Sequence, residues 1–289
     1  MKSLICLSLF SQAIAVFAAE TPASFPAATS PASAPAVVDV PPHSLSGLYA
    51  ADIRSEAALG QPFVKGTRIA VQWADLEPQE GNYDFAAIDA QLKKVNGMGK
   101  TCLLEVQGNR KPEWLFAESP YWPEILPGAN DEKGTLMYWH PAYLNAQMKM
   151  LGALGSHLKA LPERTAIAAI SMRLNAIGSD QYDASVTVAD KSKWVLPEGV
   201  AADTIKDWSP AIALNYAQDI LYSNASAFRP DFPVLVPAMM KDSVQRYAQE
   251  LNAGRMGWMV SAIEPTETLV GAAVAPIGLE SIGDAFQSP

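Results

Sequence analysis

Carboxyl groups stand at the ends of two predicted buried strands, and they offer the clearest route to chemistry in this sequence. Asp180 follows an apolar strand predicted over 167–174, and Glu264 closes a strand predicted over 258–265. Two carboxyl groups in different environments can keep different protonation states, so that one donates a proton while the other stays charged. If the strands are parallel, both carboxyl groups lie at a shared rim of the sheet, where such chemistry would be possible.

Other reaction types find little support in the residues. The three histidines, His43, His140 and His157, fall on separate predicted elements without metal-ligand spacing, so we expect no zinc site. The sequence contains neither a glycine-rich phosphate loop nor a Gly-x-Ser-x-Gly motif, and we expect no cofactor. A formal charge of −9 argues against nucleic acid as a partner, because phosphate binding relies on clustered Lys and Arg.

Strand and helix patterns alternate through most of the chain. Apolar runs and period-two alternation predict the strands, and apolar residues three and four apart predict the helices between them. A chain that alternates in this way forms an α/β fold with a parallel sheet. The predicted strands cover 46–50, a stretch that starts at Gly66, 102–106, 167–174, 232–240 and 258–265, and the predicted helices cover 85–98, 144–158, 210–228 and 241–252.

The most specific pattern begins at Trp73. It reads Trp-x-x-Leu-Glu-Pro-x-x-Gly-x-Tyr-Asp-Phe and ends at Phe85, with a strand before it and an amphipathic helix after it. This pattern resembles the second β/α unit of the retaining β-glycosidases, and above all the catalytic domain of the family 42 β-galactosidases. We interpret Glu77 within it as a residue that braces the turn, because lying at a strand end does not by itself make a carboxylate reactive.

The resemblance extends to two later segments and implies a fold. Pro-x-Trp at 112–114 and the spacing of Trp139, Pro141 and Tyr143 are similar to the same family. Over about Leu45 to Pro265 the resemblance implies a (β/α)8 TIM barrel. About six of the eight strands are present, with a short seventh strand possible over 270–276, so we expect a barrel that is incomplete at its C-terminus.

The resemblance also implies roles for the carboxylates. Retaining cleavage of a glycosidic bond uses an acid/base carboxyl and a nucleophilic carboxylate. The family often carries Asn-Glu at the end of the fourth strand, but here Asn175 is followed by Ala176, so Asp180 is the nearest candidate for the acid/base. Asp183 is the second choice. For the nucleophile, which the family places after the seventh strand, Glu264 is the first candidate and Glu280 the second, although Glu264 could instead line the pocket or brace a loop.

A wider set of side chains is expected to surround a carbohydrate substrate. Aromatic rings can stack on the apolar faces of sugars, but aromatic residues at strand ends are also ordinary core residues. Arg173 and Asn175 could orient a carboxylate or hold a sugar hydroxyl, and a buried Arg that pairs with a barrel carboxylate would explain Arg173 equally well. The expected substrate-binding residues are Trp73, Glu105, Asn109, Trp114, Trp139, Arg173, Asn175 and Tyr182. Because the Asn-Glu pair is missing, an inactive carbohydrate-binding barrel or a fragment of a larger enzyme is the alternative.

The first residues of the chain predict export. Residues 1–19 have the charged start, short apolar run and small-residue exit of a signal peptide, and the apolar run is too short to span a membrane. Residues 20–44 are rich in Ala and Pro and predict a flexible linker, so the barrel domain is expected over 45–289. We therefore expect a secreted or periplasmic protein without a membrane span in the mature chain. Removal of Cys6 would leave Cys102 without a disulfide partner.

Overall fold

A computed structural model describes residues 47–54, 56–126, 133–178, 193–237, 256–260 and 277–279. The predicted signal peptide and linker, the predicted helix over 241–252 and the possible strand over 270–276 all lie outside these ranges.

The described strands form one parallel sheet in chain order. Neighbouring strands in the sheet follow one another in the sequence, and every neighbouring pair is parallel. Parallel strands that follow one another in both sequence and space are the arrangement found in α/β barrels. The predicted fold class is therefore confirmed, as a barrel-type sheet with seven strands in the described part of the chain. The bounds are β1 Leu48–Ala50, β2 Val64–Gln72, β3 Thr101–Gln107, β6 Ile167–Ser171, β7 Val234–Pro237, β8 Met256–Val260 and β9 Ile277–Leu279.

Helices connect the strands, and the three longest begin and end close to their predicted limits. They are α3 (Ala86–Gly97), α4 (Pro141–Ala160) and α5 (Pro210–Phe228). Proline occupies the first turn of α4 and of α5, where its missing N–H costs nothing. Ser209 caps α5 by accepting a hydrogen bond from the Ile212 amide at 3.2 Å.

Short elements occupy the connections. Helices α1 (Glu56–Leu59) and α2 (Trp73–Leu76) flank β2, and 3₁₀ turns cover Glu113–Ala117, Pro162–Ala166 and Ala202–Thr204. An antiparallel hairpin, β4 (Tyr121–Trp122) and β5 (Thr135–Leu136), lies between β3 and α4. Among the described residues no helix is long and apolar enough to cross a membrane.

The sheet differs from the prediction at two strands. The fourth strand of the sheet, β6, ends at Ser171 instead of Leu174, and the residues after it, 172–178, are buried but irregular. The seventh strand, β9, covers Ile277–Leu279, just past the segment in which a short strand was considered possible.

Alternate apolar side chains of β3 face the helices. Leu104 and Val106 join the main core together with Leu151 and Leu154 of α4, while Glu105 between them faces the other side of the sheet because strand side chains alternate. Cys102 of the same strand is fully buried, and burial raises the pKa of its thiol to about 12.

We predict opposite effects for two glycine substitutions in α4. A Cβ added at Gly155 would lie 2.3 Å from the Ala227 carbonyl oxygen of α5, whereas a Cβ at Gly152 would meet nothing within 4 Å. We expect Gly155→Ala to lower the free energy of unfolding by about 1–3 kcal/mol through overpacking. Gly152→Ala should raise it by up to about 1 kcal/mol, because alanine favours the helix. Urea unfolding of both variants measures the difference, and equal effects would contradict this close approach of α4 and α5.

Candidate functional site

A buried ion pair joins β3 to the end of β6. The Arg173 guanidinium donates two hydrogen bonds to one oxygen of Glu105, from Nε at 3.1 Å and from a terminal nitrogen at 2.7 Å. Glu105 is 1% exposed and Arg173 is 6% exposed. A terminal nitrogen of Arg68, on β2, lies 3.5 Å from the other Glu105 oxygen. The carboxylate is therefore held from both neighbouring strands, and the interpretation of Arg173 as the partner of a barrel carboxylate is confirmed.

Two glutamines extend this ion pair along the carboxyl ends of the strands. The Gln107 side-chain amide donates to Glu105 at 2.7 Å, and the Gln72 amide donates to the Gln107 oxygen at 3.0 Å. The Gln72 oxygen accepts the backbone N–H of Arg110 at 3.1 Å. The pairing register places Gln72 directly beside Gln107. A continuous polar chain therefore crosses β2, β3 and the end of β6.

Asn175 is pressed against the loop that follows β3. Its side-chain amide donates to the Val106 carbonyl at 3.1 Å, and a Cβ added at Gly108 would lie 2.6 Å from the Asn175 Cβ. Asn175 has a φ of 53°, in the left-handed region that asparagine tolerates better than most residues. Glycine at 108 is therefore required for this contact, which brings Asn175 next to the Glu105–Arg173 pair.

Glu77 holds the turn after β2. Its carboxylate accepts hydrogen bonds from the Trp73 indole and from the Gly81 backbone N–H, both at 3.0 Å. The Trp114 indole donates to the Glu77 carbonyl oxygen, also at 3.0 Å. Burial raises the pKa of Glu77, and its hydrogen bonds, including one from Tyr83, oppose that rise. The interpretation that Glu77 braces the turn is confirmed.

The predicted aromatic residues take part in two groups of contacts. Trp73 is fully buried and packs edge-on against Tyr143 at 5.5 Å, while Trp114 is partly buried beside the Glu77 turn. Trp139 donates to the Lys206 carbonyl at 2.9 Å and packs edge-on against Trp194 at 5.6 Å. The rings of Trp73, Trp114 and Trp139 thus connect loops at the carboxyl ends of the strands.

The structure gathers part of the predicted site. It brings Glu105, Arg173 and Asn175 together, and it places Asn109 directly after the glycine that contacts Asn175. Asp180, Tyr182 and Glu264 lie outside the described residues, as do the second choices Asp183 and Glu280, so their roles stay predictions. Within the described ranges no group of three His, Cys, Asp or Glu side chains could hold a metal ion.

Several residues of the polar chain were not predicted from the sequence. Gln72 and Gln107 end β2 and β3. A separate buried pair was also not predicted: the Tyr216 hydroxyl of α5 lies 2.6 Å from the Gln147 side-chain oxygen of α4. The alternation of side chains along a strand could have indicated Gln107, because it places Glu105 and Gln107 on the same face of β3. No spacing within the sequence pairs Gln147 with Tyr216, since the two helices are far apart along the chain.

This geometry is typical of a known class of proteins. Parallel strands in chain order, with polar side chains gathered at their carboxyl ends, define the class of α/β barrel proteins. Residues 49–170 match the family model of glycoside hydrolase family 42, which is described as beta-galactosidase. The resemblance to that family is therefore confirmed over a segment that includes the Glu77 turn, Glu105, Trp114 and Trp139.

Individual relatives cover the chain unevenly. A β-galactosidase from Arthrobacter sp is 39% identical over 59 residues, which make up 20% of this chain and 8% of that protein. Among solved structures, the chain is similar to a β-galactosidase from Marinomonas ef1, with 10% identity over 76% of this chain and 41% of that chain and a TM-score of 0.49. It is also similar to one from Rahnella sp. R3, with 13% identity over 75% and 39% and a TM-score of 0.44. The chain spans less than half the length of these relatives.

Glu113, which begins the 3₁₀ turn Glu113–Ala117, and Glu118, which follows it, should make stability respond to pH with opposite signs. Burial and the neighbouring Glu80 raise the pKa of Glu118, whereas a hydrogen bond from Lys133 lowers the pKa of Glu113. A raised pKa weakens the fold as pH rises through the shifted value, and a lowered pKa weakens it as pH falls. Glu118→Gln should therefore lose less stability than the wild type as pH rises above the ordinary glutamate range.

Glu113→Gln is the matched control for this experiment. It removes the salt bridge to Lys133, in which the two charged atoms are 2.8 Å apart, so it should lose less stability than the wild type as pH falls through the glutamate range. Urea unfolding at a series of pH values from about 3 to 8, a range that includes the reference pKa of glutamate, measures how the free energy of unfolding of each variant changes with pH. The same sign for both variants would contradict the assigned environments.

Proposed function

We propose that the chain is a β-galactosidase-like glycoside hydrolase that acts on β-linked carbohydrate by retaining hydrolysis, and that it is exported. The observation that carries this proposal is the family match over residues 49–170. The strand ends within that segment lie in one parallel sheet, and this is the side of a barrel on which substrates bind. The predicted signal peptide supports export to the periplasm or the medium.

Retaining hydrolysis needs two carboxyl groups about 5–5.5 Å apart. Asp180 is proposed as the acid/base, because it follows Gly178 at the end of the segment after β6. For the nucleophile, the strand count favours Glu280 over Glu264. Glu280 comes directly after Leu279, the last residue of the seventh strand of the sheet, whereas Glu264 follows the sixth strand by four residues.

Glu105 has a different proposed role. Its two oxygens are occupied by Arg173, by Gln107 and by the nearby Arg68 guanidinium, so the carboxylate is not free to accept a proton from a sugar. We assign it to holding Arg173 in place. Arg173 and Asn175 can then present donors toward a bound hydroxyl, and such hydrogen bonds strengthen as the transition state forms.

One observation favours an alternative function, carbohydrate binding without cleavage. Ala176 stands where the family often carries the acid/base glutamate, and it is 1% exposed among apolar neighbours. Alanine at this buried position cannot supply the proton that the family's acid/base glutamate provides. A barrel that keeps Trp114, Trp139 and Asn175 could still bind a sugar.

The proposal predicts specific losses of activity. The chain without residues 1–19 should release p-nitrophenol from aryl β-galactosides, and Asp180→Asn and Glu280→Gln should each lower kcat by about a hundredfold or more, the usual size of acid–base and nucleophile effects. Glu163→Gln is the matched control, because Glu163 lies on the 3₁₀ turn before β6, at the opposite end of the strand. A loss in Glu264→Gln but not in Glu280→Gln would reverse the nucleophile assignment.

Binding measurements separate the two functions. If the wild type releases no p-nitrophenol but calorimetry detects binding of galactosides, the binding function replaces the hydrolase. If neither occurs, both proposals are wrong.

Export has its own test. Expression of the full chain in a bacterial host should yield a periplasmic or secreted product whose first residue is Glu20, because small residues precede that position. N-terminal sequencing identifies the cleavage site, and an uncleaved cytoplasmic product would contradict export.

A further inference from the structure

The chain remains buried after β6 although its regular structure has ended. Residues 172–178, the exit segment, belong to no helix or strand, and every one of them is buried. Buried backbone carbonyl groups need hydrogen-bond partners, and outside a strand or a helix those partners must come from elsewhere. For three carbonyl groups of the exit segment, those of Leu174, Asn175 and Ile177, the partners are side chains.

Side chains from three different elements bind carbonyl oxygens of the exit segment. Gln147 of α4 donates its side-chain amide to the Leu174 oxygen at 3.2 Å, and the Tyr216 hydroxyl of α5 lies 2.7 Å from the same oxygen. The Tyr143 hydroxyl donates to the Asn175 oxygen. The Lys111 ammonium, which is 3% exposed and follows β3, donates to the Ile177 oxygen at 2.6 Å. These four side chains are called the exit clamp.

The members of the exit clamp also bind one another. The Tyr216 hydroxyl lies 2.6 Å from the Gln147 side-chain oxygen and 2.7 Å from the Leu174 oxygen, so its single proton is shared between these two acceptors, while the Gln147 amide donates to Leu174. Tyr216 is 2% exposed, and burial raises the pKa of its hydroxyl well above the ordinary value. The Tyr216 hydroxyl therefore stays protonated and remains a hydrogen-bond donor.

Packing alone does not explain these residues. Gln147 is fully buried and Tyr216 is nearly so, and burying polar groups costs free energy that a leucine or phenylalanine of similar size would avoid. The exit segment is also held from the opposite side, where Gly108 touches Asn175. The polar groups therefore serve to fix one backbone path between Arg173 and Gly178.

We propose that the exit clamp positions Arg173 and Asn175 at the carboxyl ends of the strands, and that its loss lowers turnover more than it changes substrate affinity. This inference rests on the proposed hydrolase function. The clamp residues do not touch the substrate in this proposal; they act through the Leu174 and Asn175 backbone. A displaced hydrogen-bond donor weakens the transition state more than the ground state, so kcat falls further than KM rises.

Two variants and a matched control test the exit clamp. Tyr216→Phe removes one hydroxyl, and Gln147→Met removes the amide while keeping the side-chain length. Tyr222→Phe removes a hydroxyl from the same helix at a residue that is 51% exposed. The measurements are amide hydrogen exchange of peptides covering 172–178, thermal unfolding, and kcat and KM with p-nitrophenyl β-galactoside.

Both clamp variants should show about tenfold faster exchange in the exit segment, the factor that corresponds to one ordinary buried hydrogen bond. Exchange in β2 should not change. Values of kcat should fall about tenfold with KM within about threefold, and Tyr222→Phe should match the wild type.

Three results would overturn the inference. Unchanged exchange at 172–178 in both variants would show that the clamp does not fix the segment. Faster exchange with unchanged kcat would separate the segment from catalysis. If hydrogen exchange became faster by the same factor in β2 and in the exit segment, the exit clamp would stabilise the whole fold and not this segment in particular. A wild type without hydrolysis would refute the proposed function instead, and the exchange data would still decide whether the clamp holds the segment.

Discussion

The buried pair of Glu105 and Arg173 is the constraint on which the carboxyl end of this sheet depends. Two hydrogen bonds from one guanidinium to one carboxylate oxygen fix the end of β6 against β3. Moving two charges out of water costs several kcal/mol per ion. Their attraction offsets this cost only when the remaining hydrogen-bonding groups of the pair are also satisfied. Gln107 and the neighbouring Arg68 occupy the second oxygen of Glu105, so the geometry meets that requirement. Loss of either partner would leave a buried charge without its counterpart.

Buried hydrogen bonds also hold two connections near this pair. Glu77 receives two donors from its own turn, and the carbonyl oxygens of the exit segment receive donors from helices behind the sheet. These two connections are thus fixed by buried hydrogen bonds rather than by apolar packing alone. Such connections hold functional groups more firmly than solvent-exposed loops do.

Much of the fold could be predicted from the sequence, because strong periodicity sets strands and helices. The limits of α5 follow from Pro210 at its start and the apolar spacing to Phe228, and the Trp73-to-Phe85 pattern identified the β/α unit. The early end of β6 could not be predicted, because Met172 and Leu174 are apolar and buried although the strand has ended. The Leu174 carbonyl oxygen has its hydrogen-bond partners on α4 and α5. Contacts of this range carry no signal in a single sequence, and the same holds for the pairing of Gln72 with Gln107.

The reactivity of the Cys102 thiol can report local unfolding at the centre of the sheet. It lies on β3, between β2 and β6, and it is fully buried with a pKa raised to about 12. Only the thiolate attacks alkylating reagents, so Cys102 stays silent while β3 is covered. Its rate of alkylation would therefore measure how often the centre of the sheet separates from its helices, without any added label.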